Sequence, residues 1–481
     1  MHEVDRRAVL AHATVLGAAS LLPGRALAQG ATTGQAADRP AASLPARGEF
    51  VVRGAHVLTM DPALGDLPTG DVHVRDGAIV AVGATIAAAG ADAIDGRGMI
   101  CMPGFVETHW HLWTSLLRPI VRADDGRYGY FPVTARLGPH FTPQDSYRSV
   151  RLGLAQALSS GITTVHNWAH NVRSPAHADA EIAAMRDSGM RGRFSYGTPQ
   201  GLPNGEPMDL ADLARLKRDW PDRDGLLALG MCSRNVGNDP NPLRGNITPE
   251  MTKKEWGAAH DLGLAITLHT SGPSPVKLLD EAGLLGPHVQ LVHPLLTTAD
   301  ERATLAARGV GYSMAPLGES RRPASAGVIQ LGELMESGVK ISMSIDHTTT
   351  LNCDCFACMR TLYNLHQHRI GERIKLTSRR LVELATIDGA RDLGIADKAG
   401  SLTPGKRADL ILVRTTDVNM VPVGDPYEAL VGLAEPDNVD TVVADGRILR
   451  RGGKFTALDH AQLVRDAMDS AGALRARANW P

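Results

Sequence analysis

His109 and His111 stand one residue apart in PGFVETHWHL (103–112), where a short apolar run ends. In an extended strand, residues i and i+2 share a face. Both imidazoles therefore project together, and Trp110 points the other way. Two more histidines end apolar runs of their own, His269 in LGLAITLHT and His293 in HVQLVHP, and Asp346 ends GVKISMSIDH. In that last run Ile341, Met343 and Ile345 share one face, while Ser342, Ser344 and Asp346 share the other, inward one. A single histidine of this kind is usually a satisfied core residue. Four histidines and a carboxylate, each closing a strand-like run, are instead the donor set of a borderline divalent cation.

Such a set needs a scaffold that brings distant strand ends together. Apolar or small-residue runs end near His109, Asn167, Gly197, Cys232, His269, His293, Met314 and Asp346. Helical patterns separate them, among them SYRSVRLGLAQAL, ADAEIAAMRDSG and GELMESG. Eight strand–helix repeats predict an α/β fold, a (β/α)8 TIM-like barrel over 103–395, whose chemistry belongs at the C-terminal rim of the strands. The flanks read as β-structure. Asp76-Gly77 and Asp445-Gly446 each sit in an alternating hairpin, and GKRADLILV gives a further strand. One small β-sandwich domain built from both chain ends, 48–102 and 396–460, is the economical reading. Residues 461–481 read as a helical tail.

The 481 residues are 43% hydrophobic and 21% charged, an ordinary globular composition, and the formal net charge of −2 gives no basic footprint for nucleic acid. Past the first thirty residues no apolar run is long enough to span a bilayer. The N-terminus carries Arg6-Arg7, a modest apolar stretch and Ala26-Leu27-Ala28, the pattern of a twin-arginine export signal over 1–28. The export machinery is then a partner and the mature chain periplasmic or secreted. Residues 29–47 read as a flexible linker. Of five cysteines, Cys353, Cys355 and Cys358 form C-x-C-x-x-C. That spacing is too tight for a zinc cluster and lacks a fourth ligand. Small residues opening a helix fit better, and an oxidising compartment would permit a disulfide.

From GEFVVRGAHVLTMDP to VVADGRILRRGGKF the sequence resembles the amidohydrolase superfamily, the branch of cytosine deaminase-like and triazine chlorohydrolase-like enzymes. The specific parts are MPGFVETHWHL, GITTV, the histidines of LHT and VHP, the aspartate of SIDH, and LTPGKRADLILV. The resemblance implies that His109, His111, His269 and Asp346 bind one divalent ion, zinc first and iron second, with His293 beside the metal water. Asp346 would accept the proton of that water and pass it to the leaving group. His293 would polarise the substrate. Two-metal members bridge their ions with a lysine or glutamate on strand four. Here that strand reads LLALGMCSRNVG, so one ion is expected, with Cys232 as a buried thiol.

In the deaminases of this branch a glutamate three residues after the strand-five histidine protonates the ring nitrogen of the heterocycle. Gly272 occupies that position here. This favours an amide, carbamate, urea or lactam-like substrate, which needs no ring protonation. Glu319, after strand seven, could donate from another direction, although a solvated loop carboxylate is the blander reading. His347 follows Asp346 and either lines the pocket or packs behind the strand. Aromatic residues are few, yet Trp110, Trp113, Tyr128, Tyr130 and Phe131 crowd the stretch after strand one, and Trp168 and His170 lie past strand two. Trp113, Trp168, His170, His293, Glu319 and His347 are the candidate substrate-binding residues, for a small molecule with a flat or apolar group. Arg118 and Arg122 could neutralise a substrate carboxylate. The expected activity is metal-dependent hydrolysis of a non-peptide carbon–nitrogen bond. The alternatives are an aminohydrolase or chlorohydrolase of a nitrogen heterocycle, and a non-catalytic metal- or ligand-binding protein. A homo-oligomer is compatible with such a barrel.

Overall fold

Leu410-Ile411-Leu412-Val413 shows how the two layers share one strand. Leu410 and Leu412 are buried in one apolar cluster, and Ile411 and Val413 in another. A period of two along an extended chain sends alternate side chains to opposite faces. The first cluster is the private core of the flanking sheet. The second continues into the barrel. Ile100, Cys101 and Met102 on the neighbouring strand alternate in the same way.

The computed structural model describes residues 43–480 except 119, 123, 222–223, 238–245, 271–273, 294, 324, 326 and 371–372. The expected export signal, most of the expected linker, and Gly272 lie outside the described residues. What is described of the linker is held in place. The Pro45 carbonyl accepts from Arg447 at 2.6 Å and Arg47 donates to Asp445 at 2.6 Å.

The flanking sheet has nine strands. The first chain end supplies β1 (Phe50–Val57), β2 (Leu67–Arg75), β3 (Ala78–Gly83), β4 (Asp92–Asp95) and β5 (Met99–Pro103). The second supplies β14 (Leu410–Arg414), β15 (Val439–Ala444), β16 (Arg447–Arg451) and β17 (Lys454–Phe455). The expected sandwich takes the form of one mixed sheet in which β5 and β14 pair antiparallel and join the two ends. Both expected hairpins turn at Asp-Gly with positive φ at each residue: 51° and 81° at Asp76-Gly77, 53° and 73° at Asp445-Gly446. Two successive left-handed residues match the twist of the flanking strands.

The barrel is the parallel sheet β6 (Phe105–Trp110), β7 (Ile162–Ala169), β8 (Arg191–Tyr196), β9 (Leu227–Cys232), β10 (Ala265–His269), β11 (Val289–Val292), β12 (Gly311–Met314) and β13 (Lys340–Met343), in that order. It closes just past β13. Asp346 N–H donates to the His109 carbonyl at 2.9 Å and His111 N–H to the Asp346 carbonyl at 2.8 Å. The seam of the barrel therefore lies between the two segments that carry the predicted ligands. A polar cluster fills the barrel interior below it. Thr108 Oγ1 meets Ser313 and Ser342, and Gln290 Nε2 donates to the Thr108 carbonyl.

The cysteine run opens the helix Cys355–Arg369, which Asp354 caps by accepting from Ala357 N–H at 2.9 Å. All five cysteines are buried free thiols. The C-terminal helix His460–Arg477 packs on the helix Pro143–Ser159. Among the described residues, no helix is long and apolar enough to cross a membrane.

Candidate metal centre and active site

β6 delivers His109 and His111 to the C-terminal rim, and both rings reach the same carboxylate. Asp346 Oδ1 is 3.4 Å from His109 Nε2 and 3.4 Å from His111 Nε2. His269, at the end of β10, brings its Nε2 to 3.3 Å from His109 Nε2. Among the described residues the close donor sets are two, and they share His109: one holds His111 and Asp346, the other His269 and His293.

The separations test whether a metal fits. Two ligands about 2.0–2.1 Å from a tetrahedral zinc ion are roughly 3.3–3.4 Å apart. Three donor pairs have that spacing: Asp346 with His109, Asp346 with His111, and His109 with His269. Charge states agree. Burial holds His109 down at about 4, against the opposing pull of Asp346, and holds His111 and His269 well below the ordinary histidine range. These rings are neutral at pH 7, with lone pairs free for a cation. Burial alone would raise Asp346. His347, His109 and His293 outweigh it and keep the carboxyl well below its usual range. His109 Nδ1 and His111 Nδ1 are buried with no hydrogen-bond partner among the described residues. The donor set thus fits one divalent ion. Cys232, at the end of β9, is buried, its Sγ lies 3.3 Å from the Ser195 carbonyl, and burial pushes its thiol up. It stays protonated and offers no bridging thiolate.

Two rim residues have left-handed backbone. His293 and Asp346 both have φ of 69°. Each such non-glycine residue costs on the order of 1–3 kcal/mol and persists where the surroundings over-determine it. Here the surroundings are hydrogen bonds: His293 N–H to the Ser313 carbonyl at 3.0 Å, and the Asp346 N–H and carbonyl to the backbone of His109 and His111.

Glu319 is not a solvated loop carboxylate. It ends the short helix Pro316–Glu319 and is 4% exposed. Its Oε1 is 2.7 Å from His293 Nδ1 and also accepts from Ala315 N–H at 2.9 Å. The carboxylate fixes the His293 ring and leaves Nε2 to face the site, stacked beside His269 at a centroid distance of 5.4 Å. Glu319 therefore acts through His293.

The remaining candidates divide into supports and mouth. Trp168 is 1% exposed, with its ring 4.4 Å from that of His109 and 4.0 Å from that of His269. It is the floor beneath the donors. Trp113, equally buried, packs against Phe141 and His170. Neither indole is an open face at the mouth. Trp168 lies within β7 and not past it, packed with Cys232 and Val292, and Trp113 is on the short helical turn Leu112–Leu117 that follows β6. His170 stacks edge-on to His111 at 4.3 Å, and burial depresses it to about 3. His347 is half-buried, bonded to Thr349 Oγ1 at 2.8 Å, with its ring tilted against that of Tyr130 at a centroid distance of 5.0 Å. Tyr130 places its hydroxyl 3.5 Å from His170 Nε2. Tyr130, His170 and His347 thus form a wall over His111 and Asp346.

Glu107 carries no role in the sequence reading. Its Oε1 accepts from His109 N–H and its Oε2 from Ile345 N–H, each at 2.8 Å. An acidic residue inside the apolar run GFVETH was the available signal.

A model of the amidohydrolase family matches residues 100–237 and 244–449. The chain is 28% identical over 454 residues to a 5′-deoxyadenosine deaminase of Methanosarcina mazei, covering 90% of this chain and 99% of that one. It is 29% identical over 443 residues to a 5-methylthioadenosine/S-adenosylhomocysteine deaminase of Desulforudis audaxviator, covering 88% and 98%. Its fold matches an adenosine deaminase from Xanthomonas campestris with bound zinc, with a TM-score of 0.78 and 22% identity over 90% of this chain and 100% of that one. An atrazine chlorohydrolase from Arthrobacter aurescens complexed with zinc matches with a TM-score of 0.77 and 22% identity, over 88% and 100%. At these identities the solved structures speak for the fold alone.

Proposed function

The chain belongs to the amidohydrolase family, and on that premise we propose that it is a metal-dependent aminohydrolase, releasing ammonia from an amino-substituted nitrogen heterocycle. His109, His111, His269 and Asp346 would hold the ion. When bound, a divalent ion supplies a nucleophilic water at neutral pH.

The chain's own residues handle the protons. Asp346 is the carboxylate placed to accept a proton from the attacking water and to return one to the departing amine. A ring nitrogen must also be protonated as water adds. The observation that carries the proposal is the His293–Glu319 pair at 2.7 Å. It places a second proton-holding unit beside His109 and His269, in a position to do what the glutamate absent at Gly272 would have done. In the doubly protonated ring, Glu319 holds the Nδ1 proton while the Nε2 proton passes to the ring nitrogen; the neutral His293 left behind regains a proton from the added hydroxyl as the amine departs. Relatives along nearly the whole chain that are deaminases support the same reading.

The experiment is ammonia release by the zinc-loaded protein from 5′-deoxyadenosine, 5′-methylthioadenosine, adenosine and aminotriazines. Turnover of any of them supports the proposal. Silence on all of them, with hydrolysis of N-acyl, carbamate, urea or lactam compounds, would favour the amide reading that Gly272 suggests. We read residues 1–28 as an export signal, so Arg6→Lys together with Arg7→Lys should retain the protein in the cytoplasm.

A further inference from the structure

Three rim loops are neighbours because their strands are: β6, β13 and β12 are consecutive around the barrel. Arg118, in the loop after β6, donates to Thr348 Oγ1 through Nη2 at 2.6 Å and Nε at 3.2 Å. Arg321, after β12, donates from Nη1 to the Thr350 carbonyl at 2.9 Å. Thr348 and Thr350 both belong to the segment that follows Asp346. Two guanidiniums thus bond to one short segment beyond Asp346.

The carboxylates of these loops are engaged elsewhere. Asp124 pairs with Arg122 at 2.9 Å and Asp125 with Arg127 at 2.8 Å. Glu319 turns inward to His293, and Asp354 caps its helix. Among the described residues no ion pair joins Arg118, Arg321 or Arg322 to an acid. Arg118 is half-buried, and burial lowers its guanidinium. A partly desolvated cation held only by a hydroxyl is costly unless an anion completes it. Arg122, the other arginine of this loop considered from sequence, is exposed and already paired.

We infer that the substrate carries an anionic group, a carboxylate or a phosphate, which Arg118 and Arg321 bind across the Thr348–Thr350 segment while the reacting carbon lies at Asp346. This rests on the aminohydrolase reading for the identity of the reacting end, but not for the anion. A planar guanidinium with free N–H groups suits either oxyanion.

The test measures affinity of the zinc-loaded, full-length protein for two series by calorimetry. One compares 5′-deoxyadenosine with adenosine 5′-monophosphate and adenosine-5′-carboxylic acid. The other compares benzyl alcohol with phenyl phosphate and benzoate. The anionic members should bind about tenfold or more tightly within a series, the worth of one charge-assisted pair. The tighter of the two anions identifies the group. Arg118→Gln and the exposed Arg321→Gln should each reduce that ratio about tenfold; the second keeps the test valid if the first misfolds. No anionic preference in either series, or a preference untouched by both substitutions, overturns the inference. Preference in the second series without ammonia release from any adenine compound or aminotriazine would sink the aminohydrolase reading and leave this one standing.

Discussion

Glu107 bridges the barrel seam to Ile345. Its Oε2 takes the Ile345 N–H at 2.8 Å while its Oε1 takes the His109 N–H at the same distance. One buried carboxylate thereby fixes the backbone beside two predicted metal ligands, His109 on one strand and Asp346 just past the other. Glu107→Ala would leave two buried N–H groups unsatisfied. We expect a loss of roughly 2–4 kcal/mol of stability in urea unfolding. Glu107→Gln can accept at only one of the two sites and should fall between. A fully stable Glu107→Ala protein would show that the bridge is dispensable.

Glu319→Gln removes the charge behind His293 but keeps most of its volume. Its kcat should fall about 10–100-fold with a small change in KM, since outer partners of this kind tune a reacting group rather than bind substrate. Steady-state kinetics decide it. A change confined to KM would make Glu319 a binding residue.

Trp168 supports the donor rings of His109 and His269 from below. Trp168→Ala should cost about 3–5 kcal/mol through the cavity it opens, and zinc should dissociate more readily. Trp168→Phe should be milder in both. Thermal melts with chelator competition measure the two effects.

Glu181 is buried against Asn167, whose Nδ2 donates to its Oε2 at 2.9 Å. Burial raises its carboxyl from 4.5 to about 8, against the opposing Asn167 bond. A folded-state value above the unfolded one means that the native state binds the extra proton. This contribution to stability is complete below pH 4.5 and is lost as pH rises through about 8. Glu181→Gln should therefore stabilise the protein at pH 8 by about 1–3 kcal/mol and flatten its stability between pH 5 and 8. Equal slopes for both proteins would contradict the buried-acid assignment.

The rim was legible because each candidate ligand ends a strand or follows one within three residues. His109, His269 and His293 follow apolar runs whose length and β-branched content mark where the barrel stops. The hairpins were legible because Asp-Gly is local turn chemistry. Long-range partners were not. Glu107 and Ile345 are 238 positions apart, and no periodicity pairs them. Glu319 looked solvated because PLGES resembles a loop, whereas the helical turn Pro316–Glu319 carries the carboxylate inward. Trp113 and Trp168 counted as aromatic faces at a mouth, but Trp168 belongs to β7 and Trp113 to a buried helical turn, and their direction is set by packing and not by composition. Arg118 and Arg122 looked alike in sequence. Only the burial of one and the acid beside the other separate them.

One divalent cation is to be held by donors gathered from β6, β10 and the turn just past β13. Elemental analysis of purified wild type beside His269→Ala decides this. Wild type should carry close to one zinc or iron per chain, and a variant that keeps its fold by circular dichroism almost none. A folded His269→Ala protein that retains its full complement of metal would refute the ligand assignment.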